Sequence, residues 1–194
     1  MFLRNYCEWQ RAVGISSAYT SESGSTAPNV YATLQNLTGN LAKNYLVGVN
    51  GGYAMFSYQK FGDALDRLTI FKKALSMRVG TGTTEVDEED YCLDTDVTSS
   101  FSQIALSVQP SVSADGHQVV TISWTGTNTT SNNITIKEIG LVKSLPMFIS
   151  NTIATSQLDS VSYENILIAR HILEEPVTIN AGDSGTITVK IEMF

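Results

Sequence analysis

At its C-terminal end the chain alternates Ile187, Val189, Ile191 and Met193 with Thr186, Thr188, Lys190 and Glu192. Residues spaced by two share one face of a β-strand, so this run has an apolar face and a polar face, a division no helix makes. The pattern recurs upstream. Leu75, Met77 and Val79 alternate with Ser76 and Arg78, and Ile104, Leu106 and Val108 with Ala105, Ser107 and Gln109; Val120, Ile122 and Trp124 alternate with Thr121 and Ser123. Turn formers separate the runs. Ala114-Asp115-Gly116 precedes the third, and Asn180-Ala181-Gly182-Asp183-Ser184-Gly185 precedes the last, with Val177 and Ile179 as the other arm of an expected hairpin. Six to eight short antiparallel strands joined by polar turns predict an all-β chain: an antiparallel β-sandwich, Ig-like or jelly-roll, with Greek-key connections and an extended N-terminal arm.

Composition supports this and removes other classes. The surface is supplied by Ser, Thr and Asn rather than by charge, since only 16% of the 194 residues are charged, and Thr suits a pleated strand better than a helix. Lys+Arg 12 against Asp+Glu 19 gives a net charge of −7, which argues against nucleic acid as a main partner. With 42% hydrophobic residues the chain is too apolar for wholesale disorder. Its apolar runs, such as Ile166-Leu167-Ile168-Ala169, fall far short of the ~20 residues of a membrane helix, so no membrane partner is expected. The opening Met1–Trp9 has neither the basic start nor the apolar stretch of an export signal. Cys7 and Cys92 accordingly read as free thiols, and Asn36-Leu37-Thr38, Asn128-Thr129-Thr130 and Asn133-Ile134-Thr135 as sequons without consequence.

Three segments are less regular. Ile134 and Ile136 are followed by Ile139 and Leu141, a change of phase across Lys137-Glu138 that predicts a β-bulge. Ile166 to Leu173 reads as a buried strand or as a helix ended by Pro176, and its β-branched residues with the hairpin beyond favour strand. Residues 1–60 form the predicted arm, apart from a sandwich domain over 61–194. The arm scatters Tyr6, Trp9, Tyr19, Tyr31, Tyr45, Tyr53, Phe56 and Tyr58 without a period, so it needs another surface to bury them, such as another subunit. Within it Val30, Leu34, Leu37 and Leu41 keep helical spacing after a candidate cap, Asn29; Phe61–Asp66 could make one helical turn.

Residues that could carry chemistry fall into four groups. Glu85, Asp87, Glu88, Glu89, Asp90, Asp94 and Asp96 form an acidic loop in which Asp94 and Asp96 are the best pair for a hard cation, but the spacing lacks the central glycine of an EF-hand loop, and a solvated loop is expected. Gly80-Thr81-Gly82-Thr83-Thr84 follows a strand, yet no lysine closes a phosphate-binding motif. His117 and His171 lack catalytic neighbours. Glu138, among apolar neighbours, is expected to bond the bulge backbone. No catalytic, cofactor-binding or metal residue is assigned, and no enzyme is expected.

Two stretches carry a family resemblance. One runs from Leu75 through Gly80-Thr81-Gly82-Thr83-Thr84 to Asp90-Tyr91 and Leu93. The other runs from Trp124-Thr125-Gly126-Thr127-Asn128-Thr129-Thr130-Ser131 through Ile134–Leu141. With Ala169-Arg170 and the final Pro176–Gly182 segment, they resemble a β-sandwich module of tailed-bacteriophage virion proteins that decorate heads, necks, tails or fibre bases. The resemblance spans about residues 67–194 and implies a virion structural component, assembled in the host cytoplasm as a homo-oligomer and partnered by other virion proteins. The alternative is a receptor- or carbohydrate-binding module of a tail fibre or baseplate. Tyr53 and Tyr58 would then be sugar-stacking candidates, while Trp124 falls on the inward face.

Overall fold

A computed structural model of the chain describes residues 3–5, 7–8, 30–47, 75–113, 118–147 and 162–193. They form an all-β, antiparallel sandwich. The strands are β1 (Val30–Gln35), β2 (Leu41–Val47), β3 (Leu75–Gly80), β4 (Phe101–Val112), β5 (Gln118–Asn128), β6 (Ile134–Met147), β7 (Ser162–Ile179) and β8 (Ser184–Met193). One sheet has the order β3-β6-β7, a second β4-β5-β8, and β1-β2 make a separate ribbon. By contact the chain divides into two units. The first comprises 1–75, 86–92 and 141–170, and the second 76–85, 93–140 and 171–194. Residues Phe61–Asp66, the turn 114–117 and the aromatics of the expected arm other than Tyr31 and Tyr45 lie outside the described residues.

In the second unit the alternation read from the sequence becomes the core. Met77 and Val79 of β3, Val120, Ile122 and Trp124 of β5, Ile136 of β6, Ile179 of β7 and Ile187 of β8 are all buried. Trp124 meets Phe101 edge-on at 5.2 Å and 81°, the geometry favoured by the ring quadrupoles. Gly126 leaves room for that indole, because a Cβ there would lie 2.7 Å from the ring. The Trp124 Nε1 has no hydrogen-bond partner among the described residues.

Two expectations change. The segment spaced like a helix after Asn29 is the β1-β2 ribbon: Leu34 is buried but Leu41 is 68% exposed, so its apolar spacing does not mark one buried face. Its turn is made by the Asn36 Oδ1, which accepts from Thr38 N, Thr38 Oγ1 and Asn40 N at 3.1, 2.8 and 2.9 Å, with Gly39 at φ 85°. The segment Asn180–Asp183 does not close a hairpin. It carries the chain from one sheet to the other, since β8 pairs with β5 from Gln118↔Met193 to Thr127↔Ser184. As the central strand β6 is buried at every position from Glu138 to Lys143, so apolar residues occur there at both parities. A register shift lies in β4 between Ser102 and Ala105, where Gln103 takes φ 50°. Beyond it Leu106 and Val108 are half-buried, whereas Ile104 and Val112 are 45% and 69% exposed. The ambiguous Ile166–Leu173 run is strand, and Pro176 is tolerated because β7 is an edge.

Candidate functional site

The most organised polar cluster is built around Glu138, which is fully buried. Its Oε1 accepts from Gly82 N at 3.1 Å and Thr95 N at 2.8 Å, and its Oε2 from Asp94 N at 3.2 Å. The expected partner was the backbone at its own position. The observed partners belong to the loop that leaves β3 and returns toward β4. The two glycines of Gly80-Thr81-Gly82 follow from this. A Cβ on either would stand 2.5 Å from the Glu138 Oε1, so only glycine lets the backbone close on the carboxylate. The glycine-rich loop thus cradles an anion supplied by the chain itself. The Thr81 N to Thr95 O and Val97 N to Val79 O bonds, each 2.9 Å, close the base of the loop.

The acidic loop is pinned at several points. In the second unit the Asp94 carboxylate accepts from Thr84 Oγ1 at 2.9 Å, while Asp96 pairs with Arg78 at 2.5 Å and accepts from Thr98 N at 2.8 Å. Asp94 and Asp96 therefore engage different partners, and no group of three potential metal ligands occurs among the described residues. In the first unit Asp90 pairs at 2.7 Å with Arg170, which is 2% exposed, and Glu89 pairs at 2.6 Å with the exposed Arg4. The Asp90–Arg170 contact joins residues 80 apart in sequence, and no local motif announces it. His171 is exposed on β7, and His117 lies outside the described residues. Cys7 and Cys92 are not joined in a disulfide.

A second polar centre closes one end of the second unit. Asn128 is fully buried; its Nδ2 donates to the carbonyls of Asn132, Ile179 and Asn180 at 2.8, 3.1 and 3.2 Å. Its Oδ1 accepts from Thr130 N and Oγ1 at 3.0 and 2.8 Å, repeating the turn of Asn36 and Thr38. One side chain so holds together the β5–β6 and β7–β8 connections between the sheets.

Outward, β5 and β8 carry paired hydroxyls. Ser123 bonds Thr188 at 3.0 Å, Thr125 bonds Thr186 at 3.1 Å and Thr127 bonds Ser184 at 2.7 Å, with Thr121 opposite Lys190 at the end of the row. Ser107 and Gln109 of β4 lie opposite Ser123 and Thr121 on the same face. The row follows from a register that opposes hydroxyl residues at every second position. No helix among the described residues is long and apolar enough to cross a membrane. Compared with protein-family models, curated proteins and solved structures, the chain finds no match.

Proposed function

We propose that this chain is a structural component of a tailed-phage virion, oligomerising and docking onto other virion proteins at the head, neck or tail. The observation that carries the reading is the hydroxyl row on β5 and β8. Three successive cross-strand pairs satisfy each other, and Lys190 is the one charge opposite this stretch of β5. Such a face loses little when covered by another protein, because burying a polar group is costly chiefly when it lacks a partner. Glu138 and the glycine loop are committed to each other. The resemblance of residues 67–194 to virion β-sandwich modules adds the biological setting.

Mass analysis of purified particles, with the protein counted per particle, tests this; its absence from the particle would overturn the reading. The same hydroxyl face also supports the carbohydrate-binding alternative, since hydroxyls bond sugars. Glycan-array binding that is lost in Thr186→Ala/Thr188→Ala would favour that alternative.

A further inference from the structure

The outer strands of the two larger sheets are β3 and β7 in one, β4 and β8 in the other. Three of these edges are covered or charged. On β3, Val97 N donates to the Val79 carbonyl and Thr98 Oγ1 accepts from Val79 N, each at 2.9 Å. On β7, the Ile168 and Leu167 carbonyls accept from Leu3 N at 3.0 Å and Asn5 Nδ2 at 3.3 Å, and farther along stand Glu174, Glu175 and Pro176. β8 carries Lys190 and Glu192. These are the devices that keep an edge from pairing with another chain. β4 differs. Its 12 residues include no charge, and its outer side meets no strand among the described residues. Its apolar row is thinly covered as well: Leu106 and Val108 are half-buried, and Ile104 and Val112 are 45% and 69% exposed.

We propose that β4 is a self-pairing edge, joining antiparallel to the β4 of a second copy of the chain across a two-fold axis. Charge selects the copy. Each chain carries −7, so two copies meet at least electrostatic cost where neither presents a charge, and β4 is such a place. A partner recognised by charge finds nothing on this strand. The strand also complements itself. Pro110 has no N–H for β5, which places Pro110↔Val120 among the non-hydrogen-bonded pairs; Leu106, Val108 and Val112 share its parity and turn their N–H and C=O groups outward. An axis at Val108 then sets Val112 against Ile104 of the second copy, covering the two most exposed apolar side chains of the strand. On the other face it sets Ser107 against Gln109. Pro110, opposite Leu106, withholds one donor per copy. The pairing is isologous and closes on itself. It gives the oligomer of the assembly reading its surface, and rests on that reading.

Cross-linking between full-length copies tests the register. In a Cys7→Ser/Cys92→Ser background, copies bearing Ser107→Cys are mixed with copies bearing Gln109→Cys and oxidised. Disulfides between the two kinds are expected in about tenfold excess over those within either kind, because 107 faces 109 whereas like positions lie diagonally apart. In sedimentation of otherwise wild-type protein, Val112→Lys should raise the dissociation constant of the dimer about tenfold, since it breaks both pairs with Ile104. Its side chain is exposed, so the fold itself should be untouched. A wild-type chain that stays monomeric at every concentration would overturn the pairing. So would copies that associate without this cross-link, or whose association ignores Val112→Lys; that result would leave the assembly reading standing on another surface. A β4-paired dimer missing from purified particles would instead sink the virion reading and leave the pairing.

Discussion

Replacing Glu138 by Gln isolates what its charge contributes, because the two side chains have nearly the same shape. Gln keeps one oxygen for Gly82 N and Thr95 N but places an NH2 opposite Asp94 N, turning a 3.2 Å hydrogen bond into two facing donors. Hydrogen bonds to a charged acceptor contribute about 1.5–3 kcal/mol each, neutral ones about 1. Losing one such bond (about 1.5–3 kcal/mol) and neutralising two (about 0.5–2 kcal/mol each) gives an expected cost of about 2.5–7 kcal/mol. Glu138→Ala, which orphans all three donors, should cost about 4.5–9 kcal/mol. Urea titration reads this as a lower midpoint at unchanged slope, and the amides of Gly82, Asp94 and Thr95 should lose exchange protection together. Gly82→Ala should cost about 1–3 kcal/mol by overpacking, and somewhat less in the Glu138→Ala background, where the clash with Glu138 Oε1 is gone but those with Asp94 Cβ and Oδ2 remain. If Glu138→Gln shifts stability by less than about 0.5 kcal/mol and leaves those three amides protected, the carboxylate does not hold the loop.

Three further outcomes follow from buried polar groups. Burial lowers the Lys143 pKa to about 8 from the usual lysine value of 10.5; between those values the unfolded chain binds more protons than the folded one, so this residue's contribution to stability rises with pH across the window and is fully realised above 10.5, by about 3 kcal/mol. Urea midpoints at pH 7 and pH 10.5 should therefore differ between wild type and Lys143→Met by that amount, and identical pH profiles would refute it. Asn128→Asp should lower the melting temperature at least as much as Asn128→Ala, since a carboxylate faces three carbonyls where an NH2 now donates; a milder Asp variant in calorimetry would contradict the assigned amide orientation. Asp90→Asn should destabilise by about 3–5 kcal/mol by removing the charge opposite buried Arg170, while Asp90→Asn/Arg170→Met should recover most of it in the same denaturation assay. A double variant no better than the single one would deny the pair its role.

The sequence's legibility follows the range of the interactions concerned. β3, β5 and β8 are readable because one face of each meets the core, so burial imprints period two on Met77 and Val79, on Val120, Ile122 and Trp124, and on Ile187. Which strands pair is not imprinted. The Asn180–Asp183 turn has the same chemistry whether the chain reverses within a sheet or crosses to the other, and the partner of β8 is fixed only by contact with β5. Glu138 announces itself as an acid among apolar residues, yet its partners are backbone N–H groups 43 to 56 residues away, and backbone groups have no sequence identity. The glycines at 80 and 82 were the available signal, since paired glycines after a strand mark a close approach. Leu3 and Asn5 sit in a segment without periodicity, so nothing local marked them as anchors.

Asn36 and Asn128 bear on how this protein can be produced. Each opens an Asn-x-Thr tripeptide, and in each the threonine bonds back to the asparagine oxygen, leaving both residues buried. An oligosaccharyltransferase acts on the emerging chain, before either side chain is sheltered. A sugar on the Asn128 nitrogen would take one of the two hydrogens that hold the β5–β6 and β7–β8 crossings between the sheets, and would require space the folded end lacks. Secretory expression in a eukaryotic host therefore sets glycosylation against folding at two turns, and a bacterial cytosol avoids the contest.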